Sequence, residues 1–313
     1  MKKKRKFIIL LEYAAISSGV FLVTLLPTVA VKRLSDLLGD LFYGLFRSRR
    51  EIAISNIRHA FKNEKKDYDI RMIARGCCRS FILTAFDIIK FRRIYRRPDA
   101  LHTLRKMGNN IDRLLQRAKD IHDKTNGCIF VSPHFGNWEV LPHASSLYGI
   151  PLSVVVRPMD NPYLEKLIYQ NRVSTGQAII PKKNALFILH RTLNRGKSIG
   201  ILPDQSTIKG ISVDFFGRKA STTPVPAMLA VSHNRPVVVV ACYRKEGSLN
   251  YDGFVSDPIW PGAFTSYKGE IIRITNAINA EMESIIRRYP EQYLWVHKRW
   301  KVYEDQREAM SSF

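Results

Sequence analysis

Short apolar runs rich in β-branched residues alternate with amphipathic segments in the part of the chain that follows Gly127. The apolar runs predict strands at 128–132, 152–156, 178–180, 198–202 and 236–242. The amphipathic segments predict helices at 137–147, 161–174, 184–194, 224–233 and 268–289. Such alternation is typical of strand–helix crossovers, so the sequence predicts an α/β fold with a mixed, mostly parallel sheet covered by helices. Functional sites in these sheets gather at the carboxyl ends of the strands.

The N-terminal segment combines basic residues at 2–6 with an apolar run over 7–31, in which Glu12 is the one charged residue. Since a transmembrane helix needs about 20 apolar residues, this run is long enough to cross a bilayer. It exceeds the usual core of a secretory signal, and no clear A-x-A cleavage site follows it. This favours a retained membrane-anchoring helix within 1–33. Both flanks are basic, so the orientation stays open, and a helix that only enters the cytoplasmic leaflet is the alternative.

The next segment, 34–120, is strongly basic and has helical periodicity. Apolar residues at spacings of three or four predict one helix face, formed by Ile73, Cys77, Phe81, Ala85 and Ile88. A second short amphipathic helix is predicted at 110–120. These patterns divide the 313 residues into an anchor over 1–33, a basic helical region over 34–120 and an α/β core over 121–313.

The formal net charge of +23 argues for a polyanionic partner. Nucleic acid, anionic lipid headgroups and acidic proteins all qualify. No helix-turn-helix, RRM signature or zinc module is evident, so we expect no nucleic-acid partner, although a basic nucleic-acid-binding or membrane-scaffold protein is the alternative class. Basic clusters at 47–58, 90–97 and 298–301 are the candidate surfaces. The four cysteines form no C-x-x-C pair and are predicted to be reduced, buried thiols.

The stretch "FVSPHFGNWEV" over 130–140 follows the first predicted strand and contains a histidine and a carboxylate five residues apart. With Asn137 as the predicted helix N-cap, His134 lies in the loop and Glu139 in the first helical turn. The Glu139 carboxylate is then expected to accept the Nδ1–H of His134, which leaves Nε2 as a general base. This is a base with its orienting group but without a protein nucleophile, so the hydroxyl of a substrate would be the nucleophile.

Two other interpretations of this stretch stay open from the residues alone. A histidine at the start of a helix is common and needs no function. The spacing H-x4-E-x3-H also allows a zinc site made of His134, Glu139 and His143. The usual H-E-x-x-H pattern is absent, and we therefore expect no bound metal.

Four segments in order resemble the conserved blocks of bacterial lysophospholipid-type acyltransferases, especially the late acyltransferases of lipid A biosynthesis (the lauroyl/myristoyl branch). These segments are "VSPHFGNWE" and the stretches 154–176, 200–230 and 290–300. The resemblance implies a glycerolipid-acyltransferase-like fold and an enzyme without a cofactor. That enzyme would transfer a fatty acyl chain from an acyl thioester to a hydroxyl of a lipid A precursor of the Kdo-lipid IVA type. The donor implied first is acyl-acyl carrier protein, and acyl-CoA is the alternative donor.

The acceptor and the cell compartment follow from the same resemblance. The F-P-E-G-T-R block of the glycerol-phosphate branch is absent, and "LPDQST" stands in its place, which favours the lipid A branch. Another glycolipid, such as a phosphatidylinositol mannoside, is the alternative acceptor. The implied location is the bacterial inner membrane, with the catalytic domain facing the cytoplasm.

The resemblance also implies roles for single residues. It makes His134 the general base and Glu139 its partner. The substrate-binding residues that it implies are Arg157, Asp204, Gln205, Gly217 and Arg218. Arg157 would hold a phosphate or the phosphopantetheine of the donor, since arginine suits bidentate phosphate contacts. Asp204 would orient acceptor hydroxyls beside Gln205, and the Gly217–Arg218 step would shape the acceptor end. Trp295 and Trp300 suit either the membrane interface or the core.

Overall fold

The computed structural model describes residues 6–95, 97–106, 109–156, 161–163, 165, 178–181, 185–245 and 250–301. The helices in these ranges are α1 (Lys6–Leu25), α2 (Thr28–Leu45), α3 (Arg47–Phe61), α4 (Asp67–Ile94), α5 (Ala100–Lys106), α6 (Asn109–Thr125), α7 (Val140–Leu147), α8 (Ala185–Asn194), α9 (Val225–His233) and α10 (Tyr267–Arg288). The strands are β1 (Ile129–Val131), β2 (Leu152–Val156), β3 (Ala178–Pro181), β4 (Ser198–Ile201), β5 (Ile211–Phe215), β6 (Arg218–Thr222), β7 (Val237–Arg244) and β8 (Tyr251–Val255).

Six strands form one sheet in the order β3-β2-β4-β1-β7-β8. Neighbouring strands run parallel except β8, which is antiparallel to β7. β5 and β6 form a separate antiparallel hairpin. Strand β1 lies between β4 and β7, so its carboxyl end at Val131 opens onto the middle of the sheet edge. The predicted fold class, a mixed and mostly parallel sheet covered by helices, is confirmed.

The predicted strands agree with the observed ones, with boundaries that differ by up to two residues. Three strands were not predicted: β5, β6 and β8. Their side chains alternate between buried and exposed or are partly polar, as in "RKAST" of β6, so they lack the continuous apolar run of β1 or β7. The predicted helix at 161–174 falls largely outside the described residues.

The two faces of the sheet pack against different helices, because successive residues of a strand point to opposite faces. On one face, Ile129 and Ile199 join Ile57 of α3 and Ile274 of α10 in the largest buried cluster. The basic helical region therefore shares its core with the sheet. On the other face, Phe130, Leu152 and Val238 pack with residues of α6. The four cysteines are free and buried, as predicted.

The apolar N-terminal run does not form one helix over 7–31. It divides between α1 and α2, because Pro27 at the start of α2 has no backbone N–H and cannot continue the helix. Val23, Val31 and Leu83 attach this helix pair to α4. Across the part of the chain that the structure describes, no helix has both the length and the apolar character that a membrane crossing requires.

Candidate active site

The loop that follows β1 is fixed on both sides by backbone hydrogen bonds. On one side, the Gly136 N–H donates to the Gln292 carbonyl at 2.9 Å, and the Leu294 N–H donates to the His134 carbonyl at 3.0 Å. On the other side, the Asn137 N–H donates to the Cys242 carbonyl at 2.8 Å. The C-terminal segment 290–295 and strand β7 thus hold the loop between them.

Gly136 allows this close approach to β7. Its φ of +57° lies in the left-handed region, and a Cβ atom there would lie 2.1 Å from the Cys242 carbonyl oxygen. Any side chain would push the loop off β7, so glycine is required on both grounds.

The His134 ring is oriented by Asp204, which follows β4. Nδ1 of His134 lies 2.6 Å from Oδ1 of Asp204, and the His134 backbone N–H donates to Oδ2 at 2.8 Å. The prediction that Glu139 accepts the Nδ1–H is therefore wrong. The reason is the register of the sheet. Val131 of β1 pairs with Ile201 of β4, so the residues three positions beyond each meet at the same edge.

Asp204 is 2% exposed and remains an anion. Burial alone would raise the pKa of its carboxyl, but the charge and hydrogen bonds of His134 lower that pKa below its ordinary value. Arg299 adds to the effect through its charge. This guanidinium is itself buried and donates to the Ser221 carbonyl at 2.8 Å and to Oγ1 of Thr222 at 2.6 Å.

The same pair raises the pKa of His134. Burial alone would lower the pKa of His134, but the charge and hydrogen bond of Asp204, with a contribution from the charge of Glu139, raise it above its ordinary value of 6.5. The anion favours Nδ1–H as the donor, and Nε2 is then left as an acceptor. The Asp204 carboxylate thus stabilises the protonated form of His134.

Nε2 of His134 faces a cavity of about 520 Å³. The side-chain amide nitrogen of Gln205 lies 3.4 Å from this Nε2. Glu139, which is the N-cap residue of α7, lies on the cavity wall with Trp138. The deeper wall is apolar and is formed by Phe130, Leu141, Leu152, Val154 and Val240. The arrangement can activate a hydroxyl at Nε2 beside space for an apolar chain.

The helix after the loop begins later than predicted. α7 starts at Val140, and Asn137 is fully buried rather than a cap. Its side-chain amide donates to the Tyr251 hydroxyl at 3.1 Å. Its backbone N–H donates to the Cys242 carbonyl, so this group is unavailable to an oxyanion.

A buried polar cluster supports the loop from below. Arg244, on β7, pairs with Asp87 of α4 and donates to Oγ1 of Thr84 at 3.1 Å. Thr84 in turn donates to the Gly136 carbonyl at 2.7 Å. Burial alone would lower the pKa of Arg244, but the charges of Tyr251 and Asp87 raise it above its ordinary value. α4 is thereby tied to the loop that holds His134.

The other predicted residues lie elsewhere. Gly217 and Arg218 are at the turn of the β5–β6 hairpin and are not among the residues that line the cavity. Phe216 and Gly217 both have positive φ, as a two-residue hairpin turn demands. Arg157 lies outside the described residues.

The proposed zinc ligand His143 and the two tryptophans Trp295 and Trp300 are interior residues. His143 is buried and stacks on Tyr95, with ring centroids 4.6 Å apart. Within the described ranges, no three His, Cys, Asp or Glu side chains come together as metal ligands would. Trp295 and Trp300 are core residues. In the basic cluster 298–301, the two lysines are exposed while Arg299 and Trp300 are buried.

The fold and this site together define an α/β protein with a carboxylate-oriented histidine beside an apolar cavity at the carboxyl edge of its sheet. The chain belongs to the bacterial lipid A biosynthesis acyltransferase family, whose family model matches residues 1–302. The family predicted from the sequence is thereby confirmed.

Three curated relatives illustrate the range of the family. The lipid A biosynthesis palmitoleoyltransferase of Escherichia coli (strain K12) is 26% identical over 190 residues, which are 60% of each chain. The phosphatidylinositol mannoside acyltransferase of Mycolicibacterium smegmatis is 25% identical over 217 residues, 67% of this chain and 68% of that protein. The lipid A biosynthesis lauroyltransferase of E. coli (strain K12) is 23% identical over 289 residues, 90% of this chain and 89% of that protein. The match therefore spans less than two thirds of the first relative but most of the third.

Proposed function

We propose that this protein transfers a fatty acyl chain from an acyl thioester to a hydroxyl of a glycolipid, with His134 as the general base. The observation that carries the proposal is the orientation of His134. Asp204 holds Nδ1 at 2.6 Å, and Nε2 faces a cavity with apolar walls. An apolar cavity beside a base is what a fatty thioester and a hydroxyl acceptor require.

The proposed reaction has two steps. In the first, Nε2 takes the proton of the acceptor hydroxyl while its oxygen forms a bond to the thioester carbonyl carbon. In the second, the tetrahedral intermediate collapses, the C–S bond breaks, and the imidazolium returns its proton to the leaving thiolate. Asp204 stabilises the imidazolium between these steps. Gln205, 3.4 Å from Nε2, lies where it would position the acceptor hydroxyl.

The acceptor that we propose first is a lipid A precursor of the Kdo-lipid IVA type. Family membership and the names of the E. coli relatives support it, as does "LPDQST" in the place of the glycerol-phosphate block. The mycobacterial relative supports a phosphatidylinositol mannoside as the second candidate. For the donor we propose acyl carrier protein, because an acidic carrier would be attracted by a chain of net charge +23. Acyl-CoA is the second candidate.

The test is a transfer assay with the purified protein. Each donor, acyl carrier protein or CoA with the same acyl chain, is incubated with each acceptor, and the lipid product is analysed by mass spectrometry. We expect the lipid A precursor to gain the mass of one acyl group from the carrier-protein donor. Transfer to the phosphatidylinositol mannoside alone would make this lipid the acceptor in place of the lipid A precursor. The absence of any acylated product with every pair would contradict the proposal.

We further propose that α1 and α2 attach the protein to the inner membrane with the catalytic domain on the cytoplasmic side. The support is an exposed set of apolar side chains, among them Phe21, Leu22, Leu25, Leu37 and Leu41. Monomeric soluble proteins rarely expose so many together. Basic residues nearby would add attraction to anionic lipid.

A vesicle flotation experiment checks this attachment. A Phe21→Glu/Leu22→Glu variant of the full chain is expected to float with anionic phospholipid vesicles several-fold less than wild type, because two charges would enter the apolar layer. The matched control is Phe264→Glu, which changes an equally apolar, exposed residue outside these helices and should float like wild type. Equal flotation of all three proteins would exclude attachment through α1.

Glu139 is proposed to act through its charge on His134. The carboxylate raises the pKa of His134, and the base works only when it is neutral, so activity is lost as pH falls through that pKa. In a Glu139→Gln variant the acid limb of the kcat/KM profile should therefore move to lower pH. A limb at the wild-type position would show that Glu139 does not act electrostatically on the base.

A further inference from the structure

Gly200 lies in the middle of the cavity wall that the sheet forms. In β4 it pairs with Phe130 of β1 on one side and with Val154 of β2 on the other. The three residues therefore stand side by side on the same sheet face, and all three line the cavity. Phe130 and Val154 carry apolar side chains, and the glycine between them leaves a gap in this wall.

The backbone does not require a glycine at this position. Gly200 is not among the residues with positive φ, and it lies within a regular parallel strand. Glycine inside a strand costs stability, since it gains no side-chain packing and loses more conformational freedom on folding. One of the reasons for glycine inside a strand is the close approach of a ligand, and this reason fits a residue that lines a cavity.

A side chain at this position would enter the cavity. A Cβ atom added to Gly200 would lie 3.1 Å from Cγ1 of Val154 and 3.6 Å from Cδ2 of Leu152. A methyl group would thus be accommodated tightly, and any larger group would have to extend into the empty space.

The position of Gly200 along the strand sets its depth in the cavity. Leu202, on the same face, is half-exposed near the mouth where His134 and Gln205 lie. Gly200 is two residues deeper, about 7 Å at the rise of a strand. Leu152 lies deeper still, beyond Val154 on β2. A chain whose carbonyl sits at His134 would pass over Gly200 before its end meets Leu152.

We propose that Gly200 is the specificity-determining residue that sets the length of the acyl chain this protein transfers. The inference rests on the proposed function, because it takes the occupant of the cavity to be the acyl chain of the thioester. The missing side chain admits the distal methylenes, and Val154 and Leu152 bound the space beside them.

The test compares transfer rates for a series of saturated donors that differ by two-carbon units. The quantity compared is the kcat/KM for the longest chain that wild type accepts well, divided by the kcat/KM for the next shorter chain. In Gly200→Val this ratio should fall about 10-fold or more, since one methylene in an apolar pocket gives discrimination of that order. Gly200→Ala should shift the same ratio in the same direction by a smaller factor. Val154→Leu fills the gap from the neighbouring strand and should also favour shorter chains.

Two further variants separate chain length from general damage. The double variant Gly200→Ala/Val154→Ala removes the methyl group that the new Cβ would meet and should recover the wild-type ratio. Ile199→Val changes the adjacent residue on the opposite sheet face, where Ile199 is buried in the other cluster, and should leave the ratio unchanged.

The outcomes are distinct. If Gly200→Val does not fold, as judged by its thermal transition, then Gly200→Ala and Val154→Leu decide the question. Equal loss for all chain lengths, or an unchanged ratio in both of those variants, would overturn the proposal while wild-type transfer upholds the function. If wild type transfers no chain to any acceptor, it is the proposed function that fails.

Discussion

Replacing His134 with alanine is expected to lower kcat/KM for acyl transfer by about 10²–10⁴-fold, the contribution of a positioned general base. The side chain lies in a pre-formed loop whose backbone is held by Gln292, Leu294 and Cys242, so the variant should keep its fold. Transfer rates from thioester donor to lipid acceptor measure the effect, and the thermal transition serves as the folding control. Wild-type rates in a folded His134→Ala protein would exclude this residue as the base.

Asp204→Asn is the matched variant for the same mechanism. An amide at position 204 no longer stabilises the imidazolium and can favour the wrong tautomer, which costs about 10⁴-fold in the serine-protease triad. Its residual activity should show an acid limb at lower pH, because the anion that raises the pKa of His134 is gone. The double variant His134→Ala/Asp204→Asn should be no slower than His134→Ala alone, since the two groups act as a unit. Multiplicative losses would mean that Asp204 acts independently of the histidine.

The second large effect is expected at the buried ion pair beneath the loop. Asp87→Ala leaves the Arg244 guanidinium buried without its partner, which costs about 3–5 kcal/mol in the free energy of unfolding. Chemical denaturation of the two proteins measures this difference. The reason is that a lone buried charge keeps its full desolvation cost after the compensating attraction is lost.

An exposed pair supplies the control for that experiment. Arg97 and Asp99 form an ion pair on the surface, and Asp99→Ala should cost less than about 1 kcal/mol. A loss of the same small size in Asp87→Ala would show that the cluster does not stabilise the fold. Asp87→Asn keeps the volume of the side chain but not its charge. Its free energy of unfolding is expected to lie between those of wild type and Asp87→Ala.

The sheet strands were predictable where the sequence is continuously apolar. β7, "VVVVACYR", is buried along its whole length and is evident from composition. β6, "RKAST", has two exposed residues followed by three buried ones and is largely polar, so its pairing with β5 depends on packing against α10 rather than on a local pattern. Helix α1 was predicted from the same apolar run that Pro27 divides. Local signals thus sufficed for the sheet interior but not for its accessory hairpin.

The site was predictable in part. His134 was identified because it follows a strand end, and Asp204 was included as a substrate-binding residue that the family resemblance implies. Its role as the partner of Nδ1 was missed, because the two residues are 70 positions apart and their contact depends on the β1–β4 register. Counting equal distances from two adjacent parallel strand ends would have identified the pair. The roles of Gln292 and Leu294 were not visible, since backbone hydrogen bonds leave no mark on residue type.

The segment 290–299 gives the molecule an order of assembly. It supplies the backbone partners of His134 and Gly136 and the buried charge of Arg299, yet it leaves the ribosome after every strand of the described sheet has been made. A nascent chain could therefore form the strands of its sheet, and bring Asp204 to His134, before the backbone of this loop is fixed on its C-terminal side. The loop that carries His134 thus gains its last backbone anchors from residues translated after the whole of the described sheet.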